Sequence, residues 1–171
     1  MNKDTLDYQL YLVQREIIKK YNREFLKPYS LTYQHYLVLM VLDEHHALPV
    51  LQLGEKLAFQ SGTITPIIKK MEANGLVERV RMSSDERVVE VTLTEKAKEL
   101  IEPLKATPMN MYMTSNLSAE EYQLLMKLSN KLSNNMTYWS NQIEHLKALT
   151  GEWALFAHSP VNFINYRVSI L

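Results

Sequence analysis

The stretch SGTITPIIKKMEANGLVERVRMSSDERVVEVTLTEKA, residues 61–97, decides how the rest of the chain is read. Ile64, Ile67, Ile68 and Met71 recur at helical spacing, and Gly75 supplies a stop in the left-handed conformation. The first turn is small and hydroxylated, with Ser61, Thr63 and Thr65, and Lys69 and Lys70 follow one turn later. A break over 59–62 is expected to precede this helix, which puts Pro66 in the first turn, where a missing N–H costs little. A helix that fills no core at its start and then carries two cations has an outer face free for contact.

Two strand-like runs come next, LVERVRM (76–82) and VVEVTL (88–93), with the polar turn SSDER between them. They read as a β-hairpin with a charged tip, after which Thr94 caps the helix TEKAKELIEPL. Upstream, VLQLGEKLAF reads as a short helix with Val50, Leu53 and Leu57 inward, preceded by Pro49 and a short ALPV segment. Before it, QHYLVLMVLDEH is apolar on most sides, as a central core helix would be, with Ser30 and Thr32 available as caps. Leu6, Leu10, Val13, Ile17, Tyr21 and Phe25 describe an amphipathic first helix that ends before Pro28.

Downstream, residues 103–117 carry no decisive pattern. Ser118 and Glu121 then form a capping box for a long helix. Its apolar residues Tyr122, Leu125, Leu128, Leu132, Met136, Trp139, Ile143 and Leu146 are spaced by about 3.4 residues, close to the 3.5 of a packed helical seam. Such a stripe calls for a second helix, from the first helix, a second copy of the chain, or both. Residues 148–171 form an aromatic, nearly uncharged tail too broken for a membrane span. It reads either as a partly ordered extension or as an apolar arm that packs on a partner subunit or closes a pocket.

The fold class expected is mainly α with a small β-hairpin. The element order in the middle is a helix-turn-helix followed by a wing. In that arrangement the second helix enters the major groove, and small hydroxylated residues let it approach base edges. Ser61, Thr63, Thr65 and Pro66 are the candidates there, and Lys69 and Lys70 for the phosphates. Arg79, Arg81, Ser84 and Arg87 belong to the hairpin; Arg87 suits a narrow minor groove, with Asp85 placed to orient it. The plainer alternative is that the hydroxyls cap a helix and the cations form a solvated face, since residues 61–87 hold five cations and four anions.

These residues resemble the multiple antibiotic resistance regulator (MarR) family. The likeness is carried by LTYQHYLVLMVL, by LGEKLAFQSGTITPIIKKMEANGLVER and by DERVVEVTLTEKA, with the wing signature at Asp85, Arg87, Leu93 and Thr94. It spans roughly residues 6–147. The resemblance implies a homodimeric winged-helix regulator, usually a repressor, that binds a pseudo-palindromic operator and is released by a ligand or oxidant. It implies a dimerisation region from residues 1–30 and 95–147, and a DNA-binding domain at 31–94. Within the family the chain looks most like the organic hydroperoxide sensors and related staphylococcal-type global regulators. Where those carry a reactive cysteine, this chain has Asp7. The family's phenolic ligands make Tyr11, Tyr21 and Tyr36 pocket candidates for a small aromatic effector; core packing is the plainer reading for most of the tyrosines.

Composition narrows the rest. The 171 residues suffice for one domain with a core, and 19 basic against 19 acidic residues leave no global basic field, so any nucleic-acid contact must be local. There is no cysteine, which excludes disulfides and thiol chemistry. No apolar run is long enough for a membrane span or a signal peptide, so a cytoplasmic protein is expected. The five histidines lack metal-ligand spacing, and no phosphate-binding glycine loop is present; neither a metal, a cofactor nor an enzymatic site is expected. The competing function is a winged-helix module for protein interaction with weak or no DNA binding, which differs in showing no salt-dependent duplex affinity.

Overall fold

A computed structural model describes residues 3–82 and 85–150; the side chains of residues 82, 85–87, 109–111 and 139–150 lie outside that description. Ser84 and residues 151–171 therefore lie outside the described residues, as do the side chains of Asp85 and Arg87. Seven α-helices and three strands are described: α1 (Leu6–Lys20), α2 (Tyr33–His45), β1 (Ala47–Pro49), α3 (Val50–Lys56), α4 (Ser61–Ala73), β2 (Val77–Met82), β3 (Asp85–Leu93), α5 (Glu95–Lys105), α6 (Thr107–Thr114) and α7 (Ala119–Thr150). Two compact units divide between Thr114 and Ser115.

In the first unit, α1 passes into a π-helical turn, Tyr21–Phe25, and a 3-10 turn, Lys27–Tyr29. The chain reverses at Ser30, which takes the left-handed conformation (φ 55°). Thr32 then caps α2 in a box in which His35 stands where glutamate is usual: the His35 N–H donates to Thr32 Oγ1 (3.4 Å) and the Thr32 N–H donates to His35 Nδ1 (3.3 Å). Helix α2 buries Tyr36, Val38, Leu39 and Leu42 on several sides, as its apolar pattern requires.

The core gathers around α2. Leu53 comes from α3, Ile64, Ile68 and Met71 from α4, Val91 from β3, and Ala97, Ile101 and Leu104 from α5. Three α5 side chains complete the winged-helix core, and Lys105 adds an ion pair to Asp43 of α2 at 3.0 Å. Helix α6, in the stretch without a decisive pattern, buries Thr107.

The sheet is antiparallel with order β1-β3-β2. β1 joins as an edge, Leu48 facing Val91, and its Pro49 lies at the strand end, where no ladder N–H is lost. Strand β3 begins at Asp85, earlier than the alternation suggested, so Asp85, Glu86 and Arg87 belong to the strand backbone rather than to a five-residue turn. The register shifts between Arg81, opposite Val89, and Met82, opposite Asp85, which is where a bulge absorbs these extra residues.

In the second unit, α7 starts with the expected capping box: the Ser118 N–H donates to Glu121 Oε2 (2.8 Å) and the Glu121 N–H to Ser118 Oγ (3.2 Å). Of the stripe, Leu125, Leu128 and Met136 are exposed, Tyr122 and Leu132 are half-buried, and the side chains of Trp139, Ile143 and Leu146 lie outside the described residues.

Candidate nucleic-acid interface

Helix α4 is set by a tight turn from α3. Ala58 takes a positive φ (52°), and the Phe59 N–H reaches back to the Gly54 carbonyl at 2.8 Å. Gly54 is required by the close approach of this turn to α4: a Cβ there would meet the Phe59 carbonyl oxygen at 3.0 Å and Ile64 Cγ2 at 3.2 Å. The Gln60 carbonyl accepts from the N–H groups of Thr63 (2.8 Å) and Ile64 (3.0 Å), which starts the helix at Ser61.

That start is earlier than expected, and it corrects the placement of Pro66. Pro66 is the sixth helical residue and lies inside α4, not in its first turn. The N–H it lacks would have bonded the Gly62 carbonyl one turn back. Gly62 is exposed, so the carbonyl left without this donor lies where water can satisfy it.

Ile64, Ile68 and Met71 anchor one face of α4 in the core. The opposite face presents Ser61, Gly62, Thr63, Pro66, Lys69 and Lys70, all exposed, while Thr65 is half-buried. The helix ends in a Schellman motif: Gly75 (φ 70°) bonds Glu72 and Leu76 bonds Met71, with Met71 and Leu76 both buried. Thr94 Oγ1 donates to the Gly75 carbonyl (2.8 Å) and Lys96 Nζ to the Asn74 carbonyl (2.9 Å), so residues flanking the start of α5 hold this end.

Arg79 and Arg81 lie on the same side of β2 by strand alternation, with Glu78 on the other. Their partners differ. Arg79 Nε and Nη2 both donate to Glu72 Oε2 of α4, at 2.8 and 2.6 Å. With about a third of each side chain exposed (31% and 36%), this pair contributes at most about 1 kcal/mol to stability. Among the described residues Lys69, Lys70 and Arg81 have no ion-pair partner. Sequence reasoning assigned Arg79 to DNA and did not single out Glu72, because residues seven apart across a turn obey no pairing rule.

The tyrosine candidates separate. Tyr21 and Tyr36 are buried with ring centroids 5.4 Å apart, and Tyr33 packs on both. Burial raises the Tyr36 hydroxyl above the usual phenol range, Tyr33 adding to the effect. Tyr11 is exposed on α1 beside Tyr8, with the Arg15 guanidinium 6.0 Å from its ring, and does not meet the other two. A cleft of about 420 Å³ is lined instead by Tyr29, Leu31, Asn74, Leu76, Lys96 and Leu100, among others. Asp7 is exposed in the first turn of α1; the Thr5 side chain and the amides of Tyr8 and Asp7 hold its carboxyl below the usual range. Burial, with Lys70 nearby, keeps the His35 imidazole below its ordinary pKa of 6.5.

A helix-turn-helix with an antiparallel wing, its second helix anchored by one face and open on the other, defines a winged-helix protein. The chain belongs to the SarA/Rot family of transcriptional regulators, whose profile matches residues 12–104. The HTH-type transcriptional regulator SarZ of Staphylococcus aureus is 37% identical over 134 residues, 78% of this chain and 90% of SarZ. Among solved structures, reduced AbfR bound to DNA matches with a TM-score of 0.67 and 29% identity, over 78% of this chain and 91% of AbfR. A mutant MarR from E. coli complexed with operator DNA matches with a TM-score of 0.68 and 25% identity, over 74% of this chain and 92% of MarR. The MarR-like winged-helix fold read from the sequence is thus the fold of the chain. No helix among the described residues is long and apolar enough to cross a membrane.

Proposed function

We propose that this chain is a homodimeric, cytoplasmic DNA-binding regulator, a repressor rather than an enzyme, that reads a pseudo-palindromic operator with α4 in the major groove. The observation that carries the reading is the outer face of α4. It is small and hydroxylated at Ser61 and Thr63, basic at Lys69 and Lys70, exposed at each of these residues, and backed by the buried Ile64, Ile68 and Met71. The amides of Ser61 and Gly62, at the exposed start of the helix, suit a phosphate. Arg81 extends the cationic surface onto the wing, and Arg87 is assigned to the minor groove. The DNA-bound states of AbfR and MarR support the reading.

Dimerisation is supported by the apolar residues that α1 and α7 each leave exposed: Leu6, Leu10 and Val13 on one, and Leu125, Leu128 and Met136 on the other. These helices are assigned to the dimerisation region and residues 31–94 to DNA binding. A small aromatic effector that acted through Tyr21 and Tyr36 would have to part rings that are already packed together, so its binding would be coupled to movement of α2 against the turn after α1.

Lys69→Ala and Lys70→Ala test the assignment. Each should weaken binding to the duplex upstream of the gene and lower the salt slope by about 1. Unchanged affinity and slope in both variants would remove α4 from the interface.

A further inference from the structure

We infer that Arg79 is a positioning residue that couples the wing to the recognition helix, rather than a direct DNA contact. The inference rests on the DNA-binding reading above and refines which cations touch the duplex. Arg79 is the first cation after the α4 lysines, and by composition alone it is interchangeable with Arg81. The geometry separates them. The Arg79 guanidinium commits two nitrogens to a single oxygen of Glu72, on the last turn of α4, at 2.8 and 2.6 Å.

That pair adds a polar link between two elements that are joined by the short turn at Asn74–Leu76 and share the core through Met71 and Val77. The C-terminal end of α4 is already held from the α5 side by Thr94 and Lys96. Glu72 and Arg79 hold it from the β2 side. Together these contacts fix the angle between helix and wing, and a winged-helix protein must set that angle before binding, because helix and wing are expected to enter neighbouring grooves. An arginine committed this way also cannot neutralise a phosphate without surrendering Glu72, which would leave a carboxylate beside the nucleic acid. A preorganised angle raises affinity by sparing the ordering cost at binding.

The two roles predict opposite behaviour for Glu72. If Arg79 positions the wing, Glu72→Gln and Arg79→Gln each weaken binding to the upstream duplex by roughly three- to tenfold. The double variant is then no weaker than either single, since one interaction is lost in all three. The salt slope stays at the wild-type value, and the exchanged pair Glu72→Arg with Arg79→Glu recovers most of the affinity. If Arg79 instead contacts a phosphate, Arg79→Gln lowers the slope by about 1, Glu72→Gln binds as well as wild type or better, and the exchange fails; that pattern overturns the inference. Thermal melts of all four proteins exclude loss of folding as the cause. A wild-type protein that binds no duplex even at low salt overturns the DNA reading itself and this role with it, an outcome distinct from a binding wild type with additive variants.

Discussion

The residues from α2 to α5 bury their apolar side chains against one another, while many of the described apolar residues of α1 and α7 are exposed. Among the described residues, every large side chain that is fully buried lies between Leu26 and Leu104, whereas α1 buries no residue and α7 buries none that is described. The winged-helix part is therefore complete as a single chain. The end helices carry apolar residues that are exposed, Leu6, Leu10 and Val13 on α1 and Leu125, Leu128 and Met136 on α7. Stability and assembly should respond to different mutations.

The largest effect expected is in the core. Leu42→Ala, at a fully buried position of α2, should cost about 2–5 kcal/mol in urea unfolding. Its counterpart on α7, Leu128→Asp, sits at a position 53% exposed. It should leave the winged-helix fold intact by circular dichroism while weakening self-association at least about tenfold by sedimentation, roughly 1.4 kcal/mol. A Leu128→Asp protein that sediments as wild type would break the comparison.

Gly54→Ala comes next. The added methyl presses on a backbone oxygen that cannot swing away, so a loss of about 1–3 kcal/mol is expected, read by the same unfolding experiment. The contrasting glycine is Gly62, where a Cβ would meet nothing within 4 Å. Gly62→Ala should stabilise by up to about 1 kcal/mol and yet weaken duplex binding, because the surface it crowds is the outer one. Tighter or equal binding would show that nothing approaches that face closely.

His35 sharpens the comparison within the winged-helix part. Its folded pKa lies below 6.5, so between the two values only the unfolded chain takes the proton. Stability is therefore full above the ordinary histidine pKa and falls as pH drops through it. Protonation would also cancel the acceptor that Nδ1 offers to the Thr32 N–H. Urea melts at about pH 8 and about pH 5.5 should show the loss, and His35→Gln, which can keep the capping box without titrating, should reduce it.

The fold was legible in the sequence because each of its elements has a local cause. Ile64, Ile68 and Met71 mark the buried side of α4, Gly75 its end, Thr94 and Ser118 the caps of α5 and α7. What was misplaced depended on contacts that spacing does not reveal. A break expected over 59–62 puts Pro66 in the first turn, but the Gln60 carbonyl nucleates α4 at Ser61. The polar residues Asp85, Glu86 and Arg87 read as a turn, but pairing with β2 draws them into a strand. The face of α4 could be read from hydroxyls and lysines. The commitment of Arg79 to Glu72, and the separation of Tyr11 from Tyr21 and Tyr36, belong to tertiary geometry.

The measurement that tests the central claim most directly is titration of the full chain into the duplex upstream of its gene at two salt concentrations, with and without an organic hydroperoxide. The account predicts tight binding that falls steeply as salt rises, from the phosphates that Lys69, Lys70 and the wing neutralise, and that ignores the peroxide because the chain has no cysteine. No binding at low salt, or an affinity indifferent to salt, would contradict it and leave the winged helix as a surface for protein rather than DNA.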